Sequence, residues 1–307
     1  MDQIAGFYEE DYQGGAGEVR AVGFLPGTGI EVIRPVKRRG PPRHALFDFD
    51  GTLSLIREGW VNVMVPMMVE VLSSTGTDEP PETLAAVARD FVTELTGKQT
   101  IYQMMRLAEE VARRGGEPED PLVYKQRYHD RLMERIAGRR EDLRSGRASP
   151  REMLVPYSLE ILEELRCRGV ALYVASGTDE RYVIEEVRLL GLDRFFGRHV
   201  YGALDDYKSF SKAMVIQRIL EENRVDGAAL LGFGDGYVEI QNVVAVRGTA
   251  VAVASDEAGR SGKPDPWKRD RLIGAGAGLV IPDFREWRPL LDYLWNDQSP
   301  APAWSPA

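Results

Sequence analysis

Two carboxylates, Asp48 and Asp50, stand two residues apart at the end of the apolar run His44-Ala45-Leu46-Phe47, and Gly51 and Thr52 follow them. In a strand, residues i and i+2 share a face, so both acids start out aimed at one point. The glycine lets the backbone turn and come close to a ligand. Acids at the carboxyl end of an apolar strand occupy the place where open α/β sheets assemble their sites. Metal binding, or acid and base chemistry on a phosphate, is what such a pair can do. An ordinary acidic turn carries the same Asp-Gly signature, so the pair takes its meaning from the residues downstream.

Further polar groups fall at the ends of later apolar runs. Ser176-Gly177-Thr178 follows the run 170–175, and Gly234-Asp235-Gly236 follows 228–233, with Glu239 four residues beyond Asp235. Lys212 opens an amphipathic segment, and Lys208 lies in the loop before it. If these ends converge, the aspartates offer hard oxygen ligands of the kind Mg²⁺ takes alongside water and a substrate phosphate. Glu239, one helical turn from Asp235, can steady the metal. Ser176, its neighbouring backbone N–H groups and one of the two lysines can hold phosphate oxygens. An aspartate can act as a nucleophile, and a second carboxyl beside it can move the proton.

Convergence requires a particular scaffold. From residue 157 onward the pattern alternates helix and strand, with strands at 170–175, 199–202, 228–233, 249–254 and 279–281. Alternating units of this kind imply a doubly wound, Rossmann-like parallel sheet with helices on both faces, an α/β fold. Residues 58–155, in contrast, have helical periodicity throughout, with predicted helices at 60–72, 82–95, 100–114 and 123–137. They form an inserted helical block between the acidic stretch and the next strand. The expected organisation is an extension at 1–43, a catalytic core at 44–57 and 156–298, the helical cap at 58–155 and a tail at 299–307. Within the extension, partial alternation at 17–25 and 30–34 around Pro26-Gly27-Thr28-Gly29 predicts a β-hairpin, and 34–43 a linker. The arginines at 139, 140, 144, 147 and 151 are expected to form a solvated helix end. The charged segment 255–271 reads as a solvated connection, with Arg271 its candidate for reaching the site.

Composition narrows the function classes. The 307 residues carry 39 Lys and Arg against 48 Asp and Glu, a formal net charge of −9. That balance argues against broad nucleic-acid binding, which relies on neutralising phosphates with basic residues. It leaves a small anionic substrate open, because local charge can outweigh the global sign. The one cysteine, Cys167, excludes an intramolecular disulfide or a cysteine zinc cluster and is expected in the core. The first residues lack the basic-then-apolar pattern of a signal peptide, and no run approaches the roughly 18 apolar residues of a membrane span. A cytoplasmic protein with no membrane or nucleic-acid partner is expected.

The stretch Asp48-Phe49-Asp50-Gly51-Thr52-Leu53 resembles the first motif of the haloacid dehalogenase superfamily. Ser176-Gly177-Thr178 is similar to its second motif, Lys212 to its third, and Gly234-Asp235-Gly236-Tyr237-Val238-Glu239 to its fourth, all in order. The resemblance covers residues 45–255 and is broadly to the phosphoglycolate phosphatase group, with the insert in the place of a C1-type cap. It implies Asp48 as nucleophile and Asp50 as general acid and base. Gly51, Thr52, Ser176, Gly177 and Lys212 would bind the substrate phosphate. Mg²⁺ would be held by Asp48, Asp50 (through its carbonyl), Asp235 and Glu239, the last standing where many members have aspartate. The implied activity is hydrolysis of a small phosphorylated metabolite, a phosphomonoester. A phosphomutase of the β-phosphoglucomutase type and a catalytically weak accessory protein are the alternatives.

Overall fold

The computed structural model describes residues 11–12, 23–36 and 40–295. Eight strands form one sheet: β1 (Gly23–Phe24), β2 (Glu31–Val32), β3 (His44–Phe47), β4 (Ala171–Asp179), β5 (Val200–Ala203), β6 (Leu230–Gly234), β7 (Thr249–Val253) and β8 (Leu279–Ile281). Their order is β1-β2-β8-β7-β6-β3-β4-β5. From β8 to β5 all neighbours are parallel, whereas β2 joins β8, and β1 joins β2, antiparallel. The chain leaves β3 for β4 on one side and later returns to β6 on the other. The crevice at this switch point is where a doubly wound sheet places its ligands, and β3 ends there. The doubly wound α/β class read from the alternation is therefore the observed one.

The hairpin around Pro26–Gly29 is present as β1 and β2 and extends the sheet edge at β8. Residues 17–22 of the expected hairpin, 37–39 of the linker, 296–298 of the expected core and the tail at 299–307 lie outside the described residues. No helix among the described residues is long and apolar enough to cross a membrane.

Strand β3 is buried along its whole length, which fits a central parallel strand covered on both faces. Ala45 and Phe47 point into one core and Leu46 into the other. Phe47 stacks on Phe233 of β6 with ring centroids 4.6 Å apart, while Phe196 and Phe284 meet it edge-on at 6.2 and 6.3 Å. This aromatic cluster pins β3 against β6, one residue before Asp48. The backbone continues the pairing there, with Asp48 N donating to Phe233 O at 2.9 Å.

Between β3 and β4 come α1 (Val61–Ser73), α2 (Pro81–Glu94), α3 (Thr100–Arg113) and α4 (Pro121–Arg144). Pro81 and Pro121 start their helices where a missing N–H costs nothing, and Asp120 caps α4 by accepting from Leu122 N. Met64, Met67, Met68, Leu84, Phe91, Met104, Leu107, Leu132 and Ile136 close the core of the bundle. Helix α4 runs on past its expected end at 137. Arg139 pairs with Glu58 and Arg140 with Glu185 while partly buried, whereas Arg144, Arg147 and Arg151 are exposed, as expected of a solvated helix end. The chain enters and leaves the insert as two paired segments. Leu55 N donates to Met153 O at 2.8 Å and Val155 N to Leu53 O at 2.9 Å, with Ser54 bridged to Leu154.

The remaining helices are α5 (Ser158–Cys167), α6 (Glu180–Leu189), α7 (Asp193–Phe196), α8 (Lys212–Asn223), α9 (Tyr237–Ala245), α10 (Pro266–Gly274) and α11 (Trp287–Trp295). Cys167 is exposed, not in the core as expected. It sits in the last turn of α5, about 200° around the helix from Leu165, which faces inward.

Phe47→Ala should destabilise the fold by about 3–5 kcal/mol, the usual loss for a buried phenylalanine. Urea unfolding followed by far-UV circular dichroism should show the shifted midpoint.

Candidate active site

Each candidate residue lies just past the carboxyl end of a parallel strand or at the first turn of the helix that follows. Asp48 and Asp50 follow β3, Ser176, Gly177 and Thr178 form the end of β4, and Asp235 follows β6. Lys212 is the first residue of α8, whose N-terminus is capped by Ser211 accepting from Met214 N at 3.1 Å. Glu239 lies in the first turn of α9, where its Oε1 accepts from Gly236 N at 2.6 Å, satisfying one of the helix's free donors. Strand ends and helix starts thus bring eight residues from four sequence regions to one place.

Lys212 is the hub of this arrangement. Its side chain is 1% exposed, and Nζ lies 2.9 Å from Asp48 Oδ1 and 2.7 Å from Glu239 Oε2. Burial works against the ammonium, but Asp48 and Glu239 outweigh it and hold Lys212 above the usual lysine range. Burial pushes the Asp48 carboxyl well up; Lys212 pulls against this, and Glu239 and Asp235 add to it. Asp48, Asp235 and Glu239 present carboxylate oxygens that all lie within 4.8 Å of one another.

Asp50 has a different environment. Its Oδ2 accepts from Thr178 Oγ1 at 2.8 Å and, at the longer distance of 3.4 Å, from Ser176 Oγ. Its Oδ1 is buried without a hydrogen bond, 3.7 Å from Arg57 Nε. Burial raises its pKa to about 6, against the pull of Arg57. Arg57 is itself locked by a two-pronged contact with the buried Glu186, with Nε and NH2 donating at 2.8–3.2 Å.

A cavity of about 110 Å³ opens above these groups. Asp48, Asp50, Ser176, Lys212 and Asp235 form its floor, and Trp60, Met64, Lys98, Gln103 and Tyr128 of the helical insert form its roof. The loop 96–98 comes so close that a Cβ on Gly177 would lie 2.8 Å from Lys98 O. Gly177 is required for that approach.

A model of the haloacid dehalogenase-like hydrolases matches residues 42–241, well over half of the chain. The chain belongs to this hydrolase family. No curated protein matches it. Solved structures with a similar fold include a predicted phosphoglycolate phosphatase from Haemophilus somnus 129PT, 16% identical, with a TM-score of 0.53 over 81% of this chain and 97% of that one. A β-phosphoglucomutase from Clostridium difficile is 11% identical, with a TM-score of 0.54 over 82% and 97%. A family hydrolase from Deinococcus radiodurans R1, solved with phosphate and sodium, is 18% identical, with a TM-score of 0.50 over 83% and 97%.

Within this hydrolase the expected residues converge, but not all stand where the substrate could touch them. Thr52, expected to bind substrate, is fully buried, and its hydroxyl instead braces Asp235. It donates to Oδ1 at 3.1 Å and accepts from Asp235 N at 3.0 Å. Gly51 lines the cavity at φ +73°, and a Cβ there would lie 2.2 Å from Asp235 Oδ2. The position is therefore kept small by the neighbouring carboxylate as well as by its turn. The side chain of Asp50 is not part of the carboxylate trio. Lys208 is exposed and lies over the Tyr207 ring, so of the two candidate lysines only Lys212 reaches Asp48.

The segment 255–271 departs most from expectation. It is not merely a solvated connection: Lys268 Nζ reaches Asp235 Oδ2 at 2.7 Å and Glu257 Oε1 at 2.6 Å. Arg271, the candidate from sequence, packs instead over the rings of Tyr12, Tyr237 and Trp267. Lys268, Glu257, Arg57 and Thr178 were not singled out as site residues. Thr178 was within reach, being part of a noted strand end, whereas the others carry no spacing signal.

Lys212→Met strands two buried carboxylates and should cost about 3–5 kcal/mol, the range for breaking a buried ion pair. Lys208→Ala should leave the thermal midpoint unchanged. Differential scanning fluorimetry separates the two.

Proposed function

We propose that this hydrolase is a phosphatase that removes the phosphoryl group from a small phosphorylated metabolite through an aspartyl-phosphate on Asp48. The observation that carries this reading is the environment of Asp48. Its carboxylate lines the cavity, rests against the Lys212 ammonium, and has Asp50 two residues on with a pKa near 6.

In this reading an Asp48 oxygen attacks phosphorus and the ester P–O bond breaks. Asp50 gives its proton to the departing oxygen, then takes a proton from the water that attacks the phospho-aspartate and frees Asp48 and phosphate. In this reading the proton sits on Oδ1 of Asp50, which makes no hydrogen bond, whereas Oδ2 is engaged by Thr178. Lys212 steadies Asp48 and offers positive charge to the phosphoryl oxygens, and Ser176, which also lines the cavity, offers its hydroxyl. The helical insert, residues 58–155, serves as a cap that excludes water and frames the rest of the substrate.

The trio Asp48, Asp235 and Glu239 is a compact set of hard oxygen donors, and such a set fits Mg²⁺. Bound there, with the Asp50 carbonyl as a further donor, Mg²⁺ would offset the charge that collects on the transferring phosphoryl group. The phosphate named with the Deinococcus radiodurans structure supports the phosphoryl reading by likeness alone.

Asp48→Asn should lower Mg²⁺-dependent phosphate release from small phosphomonoesters by about a thousandfold or more, as loss of a nucleophile does. Release at the wild-type rate in that variant would rule out the covalent route, and EDTA should abolish wild-type release.

A second expectation follows from the sign of the Asp50 shift. The group is protonated below about pH 6 and loses its proton above it. For an alkyl phosphate, kcat/KM should therefore fall about tenfold per pH unit above that point, because the leaving alkoxide needs the proton. For p-nitrophenyl phosphate, whose leaving group departs unprotonated, the profile should be flatter. Identical profiles for both esters would remove Asp50 from the acid role.

A further inference from the structure

Every carboxylate of the trio already has an ammonium beside it. Lys212 serves Asp48 and Glu239, and Lys268 serves Asp235. The two lysines are held differently. Lys212 is enclosed at 1% exposure between two members of the trio. Lys268 comes from the start of α10, is 12% exposed, and touches the trio only through Asp235 Oδ2. Its other contacts are outside the trio, with Glu257 Oε1 at 2.6 Å and Ser255 Oγ at 3.1 Å. Ser255 is fixed in turn, its hydroxyl donating to Gly51 O at 2.5 Å.

Asp235 does not depend on Lys268 for its orientation. Thr52 holds Oδ1, and the Asp235 backbone N–H is bonded back to Thr52. What Lys268 adds is charge. An ammonium on a flexible four-carbon stem is a movable point charge, and a divalent cation arriving at the same carboxylate repels it. Glu257 and Ser255 give the ammonium a paired position to keep once Asp235 is taken.

We propose that Lys268 is an internal counter-ion that neutralises Asp235 in the metal-free protein and is displaced onto Glu257 when a divalent cation binds. The inference rests on the reading of Asp48, Asp235 and Glu239 as a cation site. It makes Lys268 a built-in competitor that weakens metal binding and keeps the metal-free fold from carrying unneutralised buried carboxylates.

The test is a Mn²⁺ titration of the EDTA-stripped full chain, with free Mn²⁺ counted by electron paramagnetic resonance. Thermal unfolding is measured with and without the ion. Lys268→Met should bind Mn²⁺ at least about tenfold more tightly than wild type, since an adjacent positive charge has been removed. Its metal-free midpoint should be lower, and Mn²⁺ should raise that midpoint by more than it raises the wild-type one. Lys268→Arg keeps the charge and should bind close to wild type. Glu257→Gln removes the alternative seat and should bind severalfold more weakly. Should Lys268→Met fail to fold without metal, Lys268→Gln supplies the same comparison, and recovery of folded signal on adding Mn²⁺ supports the proposal. Equal or weaker Mn²⁺ binding by the folded neutral variants overturns it while leaving the cation site standing. Absence of Mn²⁺ binding in wild type and every variant overturns the cation reading and this inference together.

Discussion

Carboxylates gathered at one end of a sheet must be neutralised, and this requirement shapes the whole top of the molecule. Removing an ion from water costs several kcal/mol even in a relaxed protein interior. Among the described residues, Asp48, Asp235, Glu239 and Glu257 are paired by two ammonium groups, Lys212 and Lys268. Each lysine joins two acids from different elements. The start of α8 is thereby fixed against β3 and α9, and the start of α10 against the β6 end and the loop after β7. Lys212, the first residue of α8, thus ties the phase of that helix to Asp48. The same charges that line the candidate site are therefore structural ties between separate parts of the chain.

Much of this was legible in the sequence, for identifiable reasons. The parallel sheet announced itself through short apolar runs alternating with helical periodicity, and Asp48, Asp50, Ser176 and Asp235 each stood directly at the end of such a run. Lys212 could be chosen over Lys208 only by the helix it opens, and the structure gives the physical basis, since Lys208 faces solvent. The Thr52 hydroxyl faces Asp235, an outcome hidden in the sequence because a hydroxyl beside two acids looks the same there whether it faces a ligand or a neighbouring carboxylate. Lys268 lies 33 residues beyond Asp235 (268 − 235) in a segment rich in charge. Only the return of α10 beneath the β6 end brings them together, and no local pattern encodes that return. Arg57 and Glu186 were invisible for the same reason, being a long-range pair between the cap entry and α6.

The roof and floor of the cavity are close-fitted by backbone as well as by side chains. Loop 96–98 rests against Gly177, and Gln99 donates through Nε2 to Phe210 O at 2.9 Å, just before α8. Further out, Lys125 and His129 of α4 meet Asp179 at the end of β4, and Arg140 and Arg144 meet Glu185 of α6. Burial and the nearby cations lower the His129 pKa to about 3, so this residue stays neutral over the ordinary pH range. The contact between insert and sheet thus relies on arginine, lysine and carboxylate charges, to which His129 adds none.

The paired entry and exit of the insert have a mechanical meaning. A single covalent strand would let the helical block twist and swing freely about its own bonds. Here two backbones run side by side, cross-tied by hydrogen bonds between Leu55 and Met153 and between Val155 and Leu53. Such a ribbon bends readily across its flat face but resists shear along its length and rotation in its plane. Any movement of the block about this ribbon would therefore run close to a single axis and keep its register over Asp48. Reproducible seating of the roof is then a property of the ribbon, independent of whatever molecule lies beneath.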